Sequence, residues 1–236
     1  MNKISDLNMQ LRHDVRIIMK EIAFLSAAEQ HRNDTPWLYN NVKKINQMGI
    51  SLLSSLKFID YIESEENNTK LASGVYDIGR LISKILHASE YISKNSDKSI
   101  GVNKDIRYYG KFEGPDIFDF IPFAILQNCI KYSVRGRKVD VGVYEGEGGE
   151  AAVHFLSLGP RIEDDEFEKI FEKGFRGVNA RKSGIVGNGI GLYHARRAIR
   201  ALFLGDITVA RRDSSSIDIN GVPYCFHLFR LTVPCI

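Results

Sequence analysis

Residues Gly187-Asn188-Gly189-Ile190-Gly191-Leu192 form the stretch of sequence that says most about the fold. Three glycines within five positions permit positive φ angles and a close approach of the backbone to a ligand. The apolar pattern over 190–203 predicts that a helix begins where the stretch ends. Because a helix N-terminus presents unpaired N–H groups and a positive dipole end, the pattern indicates a phosphate-binding turn. The preceding Arg181-Lys182-Ser183-Gly184 is basic and is expected to form a flexible lid.

A second polar segment, Asn128-Cys129-Ile130-Lys131-Tyr132, ends a helix predicted over 115–132. The amide oxygen of Asn128 can ligate Mg²⁺, Lys131 can neutralise phosphate charge, and the ring of Tyr132 can flank a base. Taken alone, the segment is better explained as an ordinary polar helix end.

Two further segments lie between these. Ser157-Leu158-Gly159-Pro160-Arg161-Ile162 follows a predicted strand, and its glycine and proline indicate a turn. Phe171-Glu172-Lys173-Gly174-Phe175-Arg176 comes after a helix predicted over 163–172, and its phenylalanines are expected in the core.

The order of these four segments resembles the ATP-binding domain that histidine kinases share with type II topoisomerases and related ATPases, the GHKL ATPases. The segment that ends in Tyr132 resembles the asparagine box of that family, and the segment from Ser157 resembles its first glycine box. The segment from Phe171 to Arg176 resembles the phenylalanine box, and the stretch from Gly187 resembles the second glycine box in full. The resemblance covers about residues 70–236.

The pattern of the C-terminal part predicts an α/β sandwich, in which one sheet carries helices on one face. Helices are predicted over 76–94, 115–132, 163–172 and 190–203, and strands over 106–109, 139–143, 152–156, 207–210 and 226–233. Gly146–Gly149 is predicted to form a hairpin turn.

The N-terminal part predicts an antiparallel helical hairpin. Ile4, Leu11, Ile18 and Leu25 repeat every seven residues in a first helix over about 3–30, and a second helix starts after Thr35-Pro36. Since one hairpin cannot enclose its own apolar stripe, a homodimeric four-helix bundle is expected. The polar stretch 63–68 predicts a boundary between a first domain, 1–66, and a second, 67–236, and the fold class is α+β.

His13-Asp14-Val15-Arg16 resembles the phospho-acceptor box of histidine kinases. The resemblance implies that the chain binds ATP with Mg²⁺, phosphorylates His13 with Asp14 fixing its tautomer, and passes the phosphate to a response-regulator receiver domain. Asn128 would hold Mg²⁺, and Arg176 could stabilise the transferred charge. The implied nucleotide site comprises Asn128, Lys131, Tyr132, Ser157, Gly159, Arg176, Gly187, Gly189, Gly191 and Leu192.

Several positions depart from the family pattern. Ser157 stands where the family has an aspartate that accepts a hydrogen bond from the adenine amino group, and Arg161 replaces the second glycine of that box. Ala124, one turn before Asn128, offers no polar group to a metal. Ile17 follows the phospho-acceptor box where a polar residue is common, so weak phosphatase activity toward the receiver is expected.

Composition limits the remaining possibilities. A net charge of +3 over 236 residues does not indicate a nucleic-acid partner, and no long apolar run predicts a membrane span or signal peptide. Three unclustered cysteines indicate the reducing cytoplasm. No sensor domain is expected in this length, so a separate sensor protein is a possible partner.

Two other functions remain open from the sequence. The first is a non-catalytic dimeric adaptor or histidine phosphotransfer protein with a degenerate ATP site, which Ser157 and Arg161 favour. The second is an ATPase of the same superfamily that closes on ATP without phosphorylating histidine. The complete segment from Gly187 and the presence of Asn128 favour the kinase.

Overall fold

The computed structural model describes residues 71–95, 101–212 and 215–236, together with six isolated helical positions, Trp37, Asn41, Leu56, Lys57, Ile59 and Tyr61. The predicted hairpin as a whole, with His13 and Asp14, lies outside the described residues. So do the predicted seven-residue repeat and the boundary at 66, which remain predictions.

The described elements follow one another in a mixed order. They are β1 Ser73–Asp77, α1 Ile78–Asn95, β2 Gly101–Ile106, β3 Lys111–Pro115, α2 Phe120–Tyr132, β4 Lys138–Glu145, β5 Ala151–Pro160, α3 Val178–Lys182, α4 Gly191–Phe203, β6 Asp206–Arg211, β7 Ile217–Ile219 and β8 Val222–Val233. Two 3₁₀ turns, Asp164–Glu166 and Lys169–Phe171, lie between β5 and α3.

The main sheet has the strand order β2-β4-β5-β8-β6, and the short β7 pairs with the first part of β8. The pair β2–β4 is parallel and the other ladders are antiparallel. The strands β1 and β3 form a separate antiparallel ribbon. The long ladder between β5 and β8 runs through the centre of the sheet, where it pairs Phe155 with Phe229 and Ser157 with His227.

One face of the sheet is covered by helices. Along β8, buried residues such as His227, Phe229 and Leu231 alternate with partly exposed ones, as a strand with one covered face requires. The core joins these strands to the apolar faces of α2 and α4, where Ile125 and Ile199 are fully buried. The predicted sheet with helices on one face is therefore confirmed for the main sheet, whereas the ribbon of β1 and β3 departs from the prediction of a single sheet.

The predicted helix over 163–172 is wrong, because two 3₁₀ turns occupy this segment. The side chain of Glu166 accepts hydrogen bonds from the backbone N–H of Glu163 (3.2 Å) and of Val178 (2.8 Å). Such side-chain-to-backbone bonds compete with regular helix formation. The apolar spacing gave no indication of this competition.

Other boundaries differ by a few residues. The strand predicted over 106–109 lies earlier, at Gly101–Ile106, and the helix predicted from 115 begins at Phe120, because Pro115 ends β3. The helix predicted from 76 begins at Ile78, after the strand β1. The strands β1, β3 and β7 and the helix α3 were not predicted. The turn at 146–149 is confirmed, since it joins the antiparallel strands β4 and β5.

Two helical residues before β1 contact the α/β layer. Tyr61 is 1% exposed and belongs to the main core. The Lys57 ammonium donates to the carboxylates of Asp116 (2.8 Å) and Asp119 (3.0 Å), at the start of α2. Side chains from the predicted first domain therefore pack on the second.

Candidate functional site

The C-terminal end of α2 places three of the predicted site residues together. Asn128 and Tyr132 are partly buried, and Lys131 is exposed with its ammonium 5.6 Å from the centroid of the Tyr132 ring. The helix ends because Ser133 adopts an extended conformation while its N–H donates to the carbonyl of Cys129 (3.1 Å). The last turn of α2 thus presents an amide, an ammonium and an aromatic ring side by side.

Gly187 brings the glycine-rich segment onto this helix end. A Cβ atom at position 187 would lie 2.7 Å from Nζ of Lys131 and 3.4 Å from the hydroxyl oxygen of Tyr132. A side chain there would therefore displace Lys131. The structure joins two predicted segments that are more than fifty residues apart in sequence.

Gly189 adopts a φ of +68°, which favours glycine. A Cβ atom there would lie 2.4 Å from the carbonyl oxygen of Phe175. The N–H of Gly174 donates to the carbonyl of Gly189 (3.0 Å), so the phenylalanine-rich segment and the glycine-rich segment are fastened together. This contact explains why the position excludes any side chain.

Helix α4 begins at Gly191, where a Cβ atom would meet nothing within 4 Å. The N–H of His194 donates to the carbonyl of Ile190 (3.1 Å). The N–H groups of Gly191 and Leu192 precede this bond, so helix geometry leaves them without a partner inside the helix. The first N–H groups of a helix suit an anion.

Ser157 and Gly159 lie within β5, on the face of the sheet that the helices cover. Ser157 is 4% exposed, and its hydroxyl shares a hydrogen bond with the thiol of Cys129. Burial raises the pKa of Cys129 to about 12, which keeps that group a neutral thiol. A Cβ atom at Gly159 would lie 3.8 Å from Cβ of Tyr132. Both predicted residues therefore border the end of α2.

Arg176 makes its described contacts with the backbone around the basic segment. Its guanidinium donates to the main-chain carbonyls of Ala180 (3.2 Å) and Ile185, and Arg181 donates to the carbonyl of Arg176 (2.6 Å). The contacts of Arg176 thus hold the backbone of the basic segment. Charge stabilisation by this residue stays a prediction, and its observed role is to shape the lid.

The short helix α3 leads into the basic segment. Residues that the sequence patterns do not indicate hold this helix in place. Asn179 is 3% exposed and donates to the carbonyl of Arg161 (2.9 Å) and the carboxylate of Glu163 (2.8 Å). Glu166, also 3% exposed, accepts from the N–H of Val178. Burial of polar groups far apart in sequence has no signature in local periodicity, so no pattern could have found them.

His227 is a third residue that the sequence patterns do not indicate. It is 3% exposed on β8, directly opposite Ser157. Burial, with a smaller contribution from the positive charge of Arg211, lowers the pKa of His227 to about 4. The imidazole is therefore neutral near pH 7.

The described residues contain no cluster of three or more His, Cys, Asp or Glu side chains arranged to hold a metal ion. Asn128 offers one amide oxygen, and Ala124 one turn earlier offers none. This donor set fits Mg²⁺ that arrives with a nucleotide, since Mg²⁺ commonly uses one or two protein ligands together with phosphate oxygens and waters. No helix among the described residues is long and apolar enough to cross a membrane.

Comparisons with known proteins agree with this geometry. Residues 121–231 match the family model described as histidine kinase-, DNA gyrase B- and HSP90-like ATPase. The matched range runs from the start of α2 into β8 and includes the whole cleft. This part of the chain belongs to that class of ATPases.

The matched relatives are histidine kinases. The histidine protein kinase SaeS of Staphylococcus aureus is 28% identical over 121 residues, which make up 50% of this chain and 34% of SaeS. The chain thus matches about a third of the length of that relative. Within the ATPase class, the chain is similar to a histidine kinase over these 121 residues.

Solved structures show the same fold. The mycobacterial sensor histidine kinase MprB superposes with a TM-score of 0.54 at 20% identity, covering 70% of this chain and 100% of that one. AdeS, a histidine kinase from Acinetobacter baumannii, superposes with a TM-score of 0.53 at 15% identity, covering 96% of this chain and 97% of that one. The predicted sandwich of the histidine kinase type is confirmed by these likenesses.

Proposed function

We propose that the protein is an ATP-dependent protein histidine kinase, which autophosphorylates His13 and passes the phosphate to a receiver aspartate of a partner response regulator. The observation that carries the proposal is that Gly187 lies against the Lys131 ammonium, four residues before the start of α4 at Gly191. An ammonium followed along the chain by the first N–H groups of a helix suits a polyphosphate.

The chain's own residues divide the work of binding. The Lys131 ammonium neutralises phosphate charge, and the N–H groups of Gly191 and Leu192 bind phosphate oxygens at the start of α4. Tyr132 flanks the base beside Gly159 and Ser157, and Asn128 contributes an amide oxygen to Mg²⁺. When bound, Mg²⁺ spreads the charge of the phosphate oxygens.

The transfer step uses the N-terminal part of the chain. Asp14 accepts a hydrogen bond from one ring nitrogen of His13, which leaves the lone pair of the other nitrogen directed at the γ-phosphate. An N–P bond forms, the bond from the γ-phosphorus to the bridging oxygen breaks, and ADP leaves. Positioning and charge neutralisation supply most of the rate enhancement.

The proposal includes the assembly and its partners. A homodimer forms through the helical hairpin, the receiver domain docks beside His13, and a separate sensor protein is a possible source of the signal. The protein acts in the cytoplasm, without a nucleic-acid partner and without membrane contact of its own. The predicted seven-residue apolar repeat supports the dimer.

Autophosphorylation with γ-labelled ATP and Mg²⁺ tests the proposal. Wild-type protein is expected to take up acid-labile, alkali-stable label, and His13→Ala is expected to take up none. His31→Ala, in the same N-terminal part of the chain, is the matched control and should label like wild type. Label that survives His13→Ala, or steady ATP hydrolysis without any label, would contradict phosphorylation of His13.

The alternative function is a non-catalytic dimeric adaptor or phosphotransfer protein. Ser157 favours it, because the base loses a charged hydrogen-bond partner, and so does Arg161, which replaces a glycine. The adaptor should show no Mg²⁺-dependent nucleotide binding at all, and this result separates it from the kinase.

A further inference from the structure

Beside Tyr132, the cleft is bordered by two buried, uncharged polar groups on the central strands. Ser157 on β5 and His227 on β8 are partners in the antiparallel register and are 4% and 3% exposed. Register partners point to the same face of a sheet, so both side chains lie on the face that the helices cover. Cys129 of α2 shares a hydrogen bond with Ser157, which confirms that placement.

The hydrogen bonds of His227 assign its tautomer. Its Nε2 atom accepts the N–H of Ile162 at 3.2 Å and lies 3.3 Å from the sulfur of Cys225. A neutral imidazole carries one proton, so the occupied lone pair on Nε2 leaves that proton on Nδ1. His227 therefore presents an N–H donor through Nδ1.

Gly159 leaves space next to this donor. A Cβ atom at position 159 would lie 3.9 Å from Nδ1 of His227 and 3.8 Å from Cβ of Tyr132. An atom at this point would make ordinary van der Waals contacts, so the edge of a flat ligand fits between the imidazole and the tyrosine. The same end of the cleft holds the hydroxyl of Ser157.

We propose that Ser157 and His227 select the base of the bound nucleotide, and that they accept a 6-oxo purine, such as guanine, as well as adenine. The proposal rests on the proposed function, because it concerns the base end of the same ATP site. It identifies His227 as a specificity-determining residue.

Hydrogen-bond chemistry gives the reason. The exocyclic amino group of adenine donates, whereas the O6 atom of guanine accepts. A carboxylate can only accept, so it stabilises adenine and repels guanine, and discrimination of this kind is large when a polar group is left unpaired. A serine hydroxyl both donates and accepts, and Nδ1–H of His227 donates, so this pair can satisfy either base.

The existing contacts of the two residues leave them able to serve a base. The partner of the Ser157 hydroxyl is a thiol, which is a weak donor and a weak acceptor, so a nucleobase can replace it. The contacts of His227 with Ile162 and Cys225 are made by its Nε2 atom, so they do not involve Nδ1.

Calorimetric titration of the full chain with Mg²⁺ and the β,γ-imido analogues of ATP and GTP tests this selection. Wild type is expected to bind the two analogues with affinities within about tenfold of each other, since both bases find a partner. Ser157→Asp is expected to favour the ATP analogue by about a hundredfold, because the new carboxylate pairs with the amino group and repels O6.

Variants of His227 separate recognition from folding. In His227→Asn the side-chain amide keeps a donor near the position of Nδ1, so binding of the GTP analogue should be retained. In His227→Leu the donor is lost, and binding of the GTP analogue should fall by about tenfold. Inorganic tripolyphosphate has no base, so its affinity should be the same for wild type, His227→Asn and His227→Leu. A general collapse of the site would lower that affinity.

The outcomes distinguish the two proposals. A wild-type preference for the ATP analogue above a hundredfold, or no change in the ratio with Ser157→Asp, would overturn the selection by Ser157 and His227 and leave the kinase proposal standing. Failure of both analogues and of tripolyphosphate to bind would overturn the nucleotide site itself.

Discussion

At the scale of single residues, the glycine-rich segment shows how one position can be fixed by two separate constraints. Gly189 combines a positive φ with a site where a Cβ atom would overlap the carbonyl oxygen of Phe175. Gly184, in the preceding lid, has a positive φ of +71° but open space around it. A comparison of substitutions at these two glycines therefore separates the cost of backbone strain from the cost of steric overlap.

Gly189→Ala is expected to lower the free energy of unfolding by about 2–3 kcal/mol, because the alanine meets both constraints. Gly184→Ala meets only the backbone constraint and should cost about 1 kcal/mol. Urea denaturation followed by circular dichroism measures both values. Equal losses in the two variants would show that contact with Phe175 does not matter.

His227 makes stability depend on pH, because its pKa is about 4 in the folded protein and near 6.5 in the unfolded chain. Below pH 6.5 the unfolded chain binds a proton that the folded protein does not, so stability falls as the pH is lowered from 6.5 to 4. Between pH 7 and pH 5 this group should contribute a loss of about 2 kcal/mol.

Comparison of wild type with His227→Asn isolates this contribution, since asparagine does not titrate. The variant should lose about 2 kcal/mol less than wild type between pH 7 and pH 5 in urea denaturation. His154→Asn is the matched control. Burial also lowers the pKa of His154, but the imidazole of His154 is more exposed than that of His227, so this substitution should change the pH dependence less. An identical pH dependence in wild type and His227→Asn would mean that His227 is not buried and neutral.

At the scale of elements, the lid is an organised segment. The sequence predicts a flexible basic stretch at 181–184, but α3 covers its first two residues, and Asn179, Glu166 and Arg176 hold that helix in place. The segment that follows α3 leads directly to Gly187. An ordered lid has less conformational entropy to lose when a nucleotide binds.

Asn179→Ala is expected to weaken nucleotide binding by about tenfold, because two buried hydrogen bonds that order the lid are lost. The fold should persist, since the sheet does not depend on this contact. Asn103→Ala is the matched control. It removes an exposed hydrogen bond (2.7 Å) between Asn103 on β2 and Asp140 on β4, and it should leave the affinity for nucleotide unchanged. Unchanged affinity in Asn179→Ala, together with a lower melting temperature, would assign that residue to stability alone.

The sequence could predict elements whose apolar pattern is regular. Helix α4 is confirmed within one residue, and β4, β5, β6 and β8 each contain the strand predicted for them. The strands β1 and β3 are short and pair with each other, although α1 and β2 separate them in the sequence. Local periodicity therefore does not predict them. Lys131, Tyr132, Gly159 and Gly187, which the motifs indicate, lie close to one another. His227, Glu166 and Asn179 have no such local signal, because their contacts join segments that are distant in the sequence.

At the scale of the whole molecule, the nucleotide cleft and the N-terminal part of the chain share helix α2. Lys57 donates to Asp116 and Asp119 just before α2, and Asn128 and Lys131 lie at the other end of the helix. Phosphorylation of His13 requires the cleft to approach the first predicted helix. The sequence predicted a boundary at 66 from polarity, and it could not show that Tyr61 reaches into the core.

The most direct test of the account is a calorimetric titration of the full chain with ATP in the presence and absence of Mg²⁺, for wild type and Lys131→Met. We predict saturable binding that Mg²⁺ strengthens. In Lys131→Met the affinity should be weaker by about tenfold or more, because one phosphate-facing charge is lost. Absence of binding in wild type, or binding that neither Mg²⁺ nor Lys131→Met alters, would contradict a nucleotide site between the end of α2 and the start of α4.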